Sequence, residues 1–148
     1  MPTEKQLMTQ MLKHIIPALM MINLTACAIH QKVKPVEVLQ EKEVCIIENP
    51  AVRAGFLDTY KQSLMSKGYH PRQLPASSSL TTCPISSTYT ANWRWDLALY
   101  MEYAEIKVYE QAKPIGEATY NSRNGGASLG KFIDAEKKIR ELVDQLFP

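Results

Sequence analysis

The stretch from Tyr89 to Asn121, "YTANWRWDLALYMEYAEIKVYEQAKPIGEATYN", decides the fold. From Trp93 onward, large apolar residues alternate with polar or smaller ones, and this period of two is typical of a strand with one buried face. The alternation changes phase near Ala104, which predicts a bulge or turn within "EYAE". "EQAKPIG" then predicts a hairpin connection into the strand "IGEATYN". Together these segments predict a β core of three strands.

The alternation also assigns the two faces of the Trp-rich strand. One face carries four large apolar residues, and we expect it to be the core face, because burying such side chains contributes about 1.5–3 kcal/mol each. The opposite face is more polar, and we expect any partner site on this sheet to lie there. The expected core residues are Trp93, Trp95, Leu97 and Leu99, and the expected binding residues are Arg94, Asp96 and Tyr100.

Two amphipathic helices flank this core. "EKEVCIIEN" predicts a first strand, and Asn49-Pro50 predicts the start of a helix that Gly68 closes in the left-handed conformation. "YHPRQL" predicts a weak strand, and the Ser- and Pro-rich segment "PASSSLTTCPISS" predicts a loop. A second helix with Ser128 as its N-cap is predicted near the C-terminus. The fold class is therefore α+β: a two-layer sandwich in which a mostly antiparallel sheet of about four strands carries two helices on one face.

Length and composition fit one ordinary globular domain. The chain has 148 residues, of which 45% are hydrophobic and 22% charged, with a formal net charge of +2. This composition excludes a disordered or collagen-like chain, and the small charge argues against a nucleic-acid partner.

The N-terminus predicts export and lipidation. Basic residues precede "IIPALMMINLTAC", an apolar run with the length of a signal-peptide core and too short to span a bilayer. The run ends in "LTAC", residues 24–27, which resembles the lipobox of bacterial lipoproteins; Met8 and Met11 are alternative start sites. The resemblance implies cleavage before Cys27, acylation of its sulfur, and, because Ala28 follows it, sorting to the outer membrane. We expect a signal peptide over 1–26, a lipidated cysteine and tether over 27–38, and a periplasmic domain over 39–148.

The two cysteines that remain form an even pair in an oxidising compartment. Cys45 and Cys83 therefore predict a disulfide, which would fasten the Ser-rich loop to the first strand. The alternative is a metal site that adds His70 to the two cysteines, but these three residues lack ligand-like spacing. We expect no metal and no cofactor.

A glycine-rich loop raises the question of nucleotide binding. "NGGASLGKF", residues 124–132, contains Gly125-x-x-x-x-Gly130-Lys131, a Walker A motif up to its last position. Phe132 stands where the motif needs Ser or Thr to hold magnesium, and the predicted sheet is antiparallel. We therefore expect a structural connector with a solvated Lys131, and no nucleotide.

The lipobox, the cysteine pair, the Trp-rich strand, the Gly-Gly turn and the "KF…LFP" helix resemble a family of small proteobacterial lipoproteins of unassigned activity. The resemblance implies an anchored envelope component facing the periplasm and supplies no catalytic residues. We expect a non-enzymatic module that contacts an envelope protein or peptidoglycan. The alternative is a ligand- or glycan-binding or processing lipoprotein with an aromatic platform, drawn from Tyr89, Trp93, Trp95, Tyr100 and Tyr103.

Overall fold

The structure, a computed structural model, describes residues 29–148. The predicted signal peptide, the predicted lipobox and Cys27 lie outside the described residues. Within the described part, no helix is both long enough and apolar enough to cross a membrane.

The described chain folds into one six-stranded sheet with two α-helices. The elements, in chain order, are β1 (His30–Lys34), β2 (Glu43–Ile47), α1 (Ala54–Ser66), β3 (His70–Leu74), β4 (Ile85–Asp96), β5 (Ala98–Glu110), β6 (Lys113–Asn121), a 3-10 turn (Leu129–Phe132) and α2 (Ala135–Leu146). The α+β class is confirmed.

The sheet is larger and more mixed than the sequence predicted. Its strand order is β1-β6-β5-β4-β2-β3. β1, β6, β5 and β4 are antiparallel neighbours, whereas β2 is parallel to both β4 and β3. The prediction of about four mostly antiparallel strands was wrong, because β2, α1 and β3 form a parallel crossover unit that alternation within single strands does not reveal.

The first strand lies in the segment that we expected to be a tether. β1 pairs with β6 from His30 to Lys34, and Val36 is buried in the core behind it. A Cβ placed on Gly116 of β6 would lie 2.5 Å from Val36 Cγ1, so glycine is needed there for the chain to pass so closely. Short polar edge strands carry little apolar periodicity, which is why the sequence pattern missed this one.

The two helices pack against each other and share one hydrophobic core with the sheet. That core includes Phe56, Tyr60 and Leu64 of α1, Ile139, Leu142, Val143 and Leu146 of α2, and Val44, Ile46, Ile85, Tyr89, Ala104, Ile106, Val108, Ala118 and Tyr120 of the strands. Tyr60 is fully buried and hydrogen-bonds Ser87 Oγ at 2.8 Å. Burial raises the pKa of Tyr60, so the phenol stays neutral within the core.

Both helices begin later than the sequence predicted. The Asn49 carboxamide accepts from Ala51 N at 3.1 Å and caps a turn, while α1 begins at Ala54. Asp134, rather than Ser128, caps α2 by accepting from Lys137 N at 2.8 Å. Ahead of α1 the Asn49 side chain holds a separate turn, and ahead of α2 the chain forms the 3-10 turn Leu129–Phe132. Gly68 has φ +82°, as the predicted end of α1 requires.

Candidate functional site

The candidate site is built on the hairpin formed by β4 and β5, which reverses direction at Leu97. Asp96 pairs with Ala98 across the turn, and Leu97 takes a left-handed φ of 61°. Non-glycine residues avoid this conformation at a cost of roughly 1–2 kcal/mol. The register shifts between Asn92 and Trp93, so that Glu102 has no partner on β4. This places the predicted bulge at the start of "EYAE", although the turn itself lies further upstream.

The prediction that the tryptophan face is core was wrong for the end of the hairpin. Trp95 is 71% exposed and Leu97 is 90% exposed, and Leu99 is exposed as well. Trp93 is half-buried, with the Arg53 guanidinium 5.5 Å above its ring. The bulge changes which side chains face the core, and the hairpin extends past the row where β4, β5, β6 and β1 lie side by side.

A cleft of about 400 Å³ lies beside this hairpin. The predicted binding residues Arg94, Asp96 and Tyr100 all line it, although the sequence had no means of showing a cleft. The remaining lining residues come from the hairpin and from the loop after β6: Trp95, Ser122, Arg123, Gly126 and Lys131. Tyr100 is buried rather than wet, because its ring packs edge-on against Phe132 at 5.4 Å.

Lys131 joins the loop to the hairpin. Its ammonium donates to Asp96 Oδ2 at 2.5 Å and to the carbonyl oxygen of Gly126 at 2.7 Å, and the residue is only 6% exposed. The expectation of a solvated lysine was therefore wrong. The preceding strand β6 is antiparallel to both of its neighbours, whereas a phosphate-binding loop follows a parallel strand. The lysine of the Walker-like motif thus serves as a clamp on Asp96.

Glu102 forms a second charged cluster at the base of the hairpin. Its two carboxylate oxygens each lie 3.7 Å from an arginine, Oε2 from Arg94 and Oε1 from Arg123. Oε2 is buried and accepts no hydrogen bond from the described residues. The Arg123 guanidinium also lies 4.6 Å above the ring of Tyr103. Burial, and then the hydrogen bond to Glu105, raise the pKa of Tyr103 and keep its hydroxyl protonated.

The two carboxylates of the hairpin are not on one strand. Asp96 and Glu102 are six residues apart in the sequence, and the turn at Leu97 puts them on β4 and β5. Each is paired with cations, Asp96 with Lys131 and Glu102 with Arg94 and Arg123. The sequence analysis did not identify Arg123 and Lys131 as site residues. The feature that could have indicated them is the glycine-rich connector "SRNGGASLGK", because its glycines allow the backbone to fold back within a few residues.

Cys45 and Cys83 form the disulfide that the sequence predicted. Their Cα atoms lie 6.2 Å apart, and the bridge ties β2 to the loop that leads into β4. Glu43 is close to both sulfurs, yet a disulfide sulfur is no thiolate and so is a poor metal ligand. The Glu43 carboxylate instead accepts from Arg72 at 2.9 Å.

The fold is similar to that of PelC from Paraburkholderia phytofirmans, solved as a dodecamer in two crystal forms. In the P6 form the TM-score is 0.53, with 10% identity over 79% of this chain and 95% of the PelC chain. For a leucine-to-methionine variant in the C2 form the TM-score is 0.52, with 10% identity over 80% and 94% of the two chains. No family of known proteins and no curated protein matches the sequence. At this identity the likeness shows a shared fold alone.

Proposed function

We propose that this chain is a lipid-anchored envelope lipoprotein, facing the periplasm at the outer membrane, whose domain acts by binding a protein or cell-wall partner. The anchor is supported by the signal-like segment and by "LTAC" with Cys27. A binding role is supported by the charged cleft at the β4–β5 hairpin. Its charges are paired with one another, an arrangement that suits recognition of a polar partner better than proton transfer.

The binding role rests on one observation: the polar side chains at the cleft are paired with oppositely charged groups or with a backbone carbonyl. Ser122 Oγ lies 3.2 Å from the carbonyl oxygen of Glu102, a group that cannot take its proton, so this hydroxyl is not activated as a nucleophile. The carboxylates of Asp96 and Glu102 are each paired with cations, Asp96 with Lys131 and Glu102 with Arg94 and Arg123, and not with each other. Arg94 and Arg123 remain partly exposed and offer donors to an acidic group of a partner.

The aromatic-platform alternative receives less support. Tyr89 and Tyr100 are buried, Trp93 is half-buried, and Tyr103 lies beneath the Arg123 guanidinium. Of the five aromatic residues proposed for a platform, Trp95 alone is largely exposed. A sugar-binding surface needs several rings that share one exposed face, and Trp95 by itself does not provide one.

The fold also suggests an assembly. PelC is a dodecamer in both crystal forms, and we propose by analogy that this chain forms a homo-oligomer in the envelope. The two edge strands, β1 and β3, offer the unpaired backbone groups through which sheets of neighbouring copies can associate. Native mass spectrometry of the acylated protein in detergent tests this: a monomer at all concentrations would contradict it.

The binding role is tested by site-specific photo-crosslinking in intact cells. A photoreactive residue replaces Arg94 in one variant and Met65, an exposed residue of α1, in a matched control. We expect a discrete crosslinked product from position 94 that is lost when Arg123 is replaced by alanine. Equal products from both positions, or none from position 94, would contradict a partner site at the cleft. Radiolabelled palmitate tests the anchor in parallel, since Cys27→Ser should abolish the labelling.

A further inference from the structure

The end of the β4–β5 hairpin carries an apolar surface beside the cleft, and the two share Trp95. We call it the hairpin tip, and it consists of Trp95, Leu97, Leu99 and, from the neighbouring 3-10 turn, Leu129, all exposed. Apolar side chains that project from a tip in this way are uncommon on a small soluble domain unless they contact something. Leu97 at the turn has a left-handed backbone conformation, which leucine rarely adopts.

The hairpin tip lies at the end of the sheet where the chain enters the domain. His30 of β1 pairs with Asn121, Asn121 with Tyr103, and Tyr103 with Asn92, so these residues form one row across four strands. From that row, β4 continues to Leu97, a further distance of about 15 Å at the rise of a strand. β1 runs away from this end, so Ile29, which precedes His30, lies on the side of the hairpin tip.

Ile29, the first described residue, contacts the loop that holds the hairpin. Its Cδ1 lies 3.2 Å from the position of a Cβ on Gly130, and its Cγ1 lies 3.5 Å from that on Gly125. Lys131 of the same loop binds Asp96 of the hairpin. Cys27 precedes Ile29 by two positions, and two residues span at most about 7 Å. Ile29 lies at the end of the molecule that carries the hairpin tip, and the chain length from Ile29 keeps the predicted acylation site within reach of that end.

We infer that the hairpin tip inserts into the surface of the membrane that holds the lipid anchor. This inference rests on the proposed function, since it places the acyl chains on Cys27. Tryptophan and leucine favour the boundary between headgroups and acyl chains, and the cleft beside them carries Arg94 and Arg123, whose positive charges would suit the phosphates of the headgroups. The acyl chains and the hairpin tip would then fix the orientation of the domain, with the cleft directly beneath the headgroups.

A second copy of the chain fits the hairpin tip less well. A stable protein interface buries about 800 Å² on each partner and involves roughly 20–30 residues a side. The hairpin tip offers four exposed apolar side chains on a narrow projection, and a cleft lined by charged groups lies beside them. A membrane surface requires no matching pocket, so a projecting tip suits it.

The two tryptophans of the chain provide the test, because they lie at different depths. Trp93→Phe leaves Trp95 as the sole tryptophan, and Trp95→Phe leaves the half-buried Trp93. The full acylated proteins are placed in vesicles of phosphatidylethanolamine and phosphatidylglycerol, with and without phosphatidylcholine brominated on its acyl chains. We expect strong quenching of Trp95 by bromines near the headgroup and weak quenching of Trp93. Leu97→Asn in the Trp93→Phe background should reduce the quenching, since asparagine suits the left-handed backbone but removes the apolar side chain.

A matched control lies at the opposite end of the sheet. Val38 is exposed and lines a separate cleft with Glu110 and Pro114, so Val38→Asn should leave the quenching of Trp95 unchanged. An acylated, vesicle-bound protein whose Trp95 keeps the emission of a water-exposed indole would overturn the inference. So would a Trp95 emission that is blue-shifted but not quenched by the brominated lipid, because a protein would then cover the hairpin tip. Absence of palmitate on Cys27 would refute the anchor instead, and quenching of Trp95 in an unacylated protein would still support insertion.

Discussion

Loss of the disulfide should remove a large share of the stability of the domain. The bridge joins Cys45 and Cys83 across a sequence separation of 38 residues. In the chain-entropy description, opening a loop of this size returns about 4 kcal/mol of conformational freedom to the unfolded state. A domain of this size has a free energy of unfolding of roughly 5–15 kcal/mol, so this loss is severe. The corresponding fall in melting temperature is about 10–20 °C.

The folded state adds a second, smaller contribution. Both sulfurs are buried together with Leu74, so the variant Cys45→Ala/Cys83→Ala also removes packed atoms from this small cluster. Reduction of the parent opens the loop but keeps the sulfur atoms, which separates the two effects. We therefore expect the order of stability to be oxidised parent, reduced parent, then double alanine variant.

Urea unfolding, monitored by circular dichroism, measures the free energy of unfolding of the oxidised parent, the reduced parent and the double alanine variant. All are made as a secreted form that begins at Ala28, so that the parent contains no cysteine besides Cys45 and Cys83. A reduced parent that loses less than about 1 kcal/mol would refute the entropic reasoning. It would show that the parallel pairing of β2 with β4, at Cys45–Ser86 and Ile46–Ser87, already holds the loop without the bridge. Two free thiols in the secreted protein would refute the bridge itself.

Three further predictions concern the hairpin, the contacts of Lys131 and an ion pair on α2. Trp95→Ala should lower the free energy of unfolding by at most about 2 kcal/mol, because most of the indole is already in water. Met101→Ala, on the buried part of β5, should lower it by about 2–5 kcal/mol. Equal losses of the two variants in thermal melts would contradict the exposed hairpin tip. Lys131→Met should lower the free energy of unfolding by about 1–3 kcal/mol and speed amide hydrogen exchange in the hairpin, because Asp96 and the Gly126 carbonyl lose their shared donor. Lys137→Met, on the exposed side of α2, is the control. Unchanged exchange in Lys131→Met would show that Lys131 does not hold the hairpin. Glu141 Oε2 accepts from Lys138 at 2.6 Å, and that hydrogen bond lowers the pKa of Glu141 in the folded state. The stabilising effect of this hydrogen bond, up to about 1 kcal/mol, is present above the unfolded pKa of Glu141 and is lost as the pH falls through its folded pKa. Urea unfolding should therefore show Glu141→Gln less stable than the parent at pH 7 and equally stable in acid. A difference in stability that persists in acid would refute this linkage.

The candidate site shows how far strand periodicity reaches. The alternation from Trp93 to Met101 correctly indicated extended chain, and it placed Arg94, Asp96 and Tyr100 near one another. It did not reveal that the chain reverses at Leu97, because leucine is a poor residue for a left-handed turn and carries no turn signal. The apolar face was therefore assigned to the core, although three of its four residues, Trp95, Leu97 and Leu99, are exposed.

The sequence by itself determined the local features of this protein. The α+β class, the closing glycine at Gly68 and the Cys45–Cys83 pair each depend on residues whose chemistry restricts them to few roles. Tertiary structure alone decided the parallel pairing of β2, the inclusion of β1 in the sheet and the burial of Lys131 against Asp96. These features arise from contacts between segments far apart in the chain. Their free energy depends on which surfaces meet, and a local pattern holds no information about that.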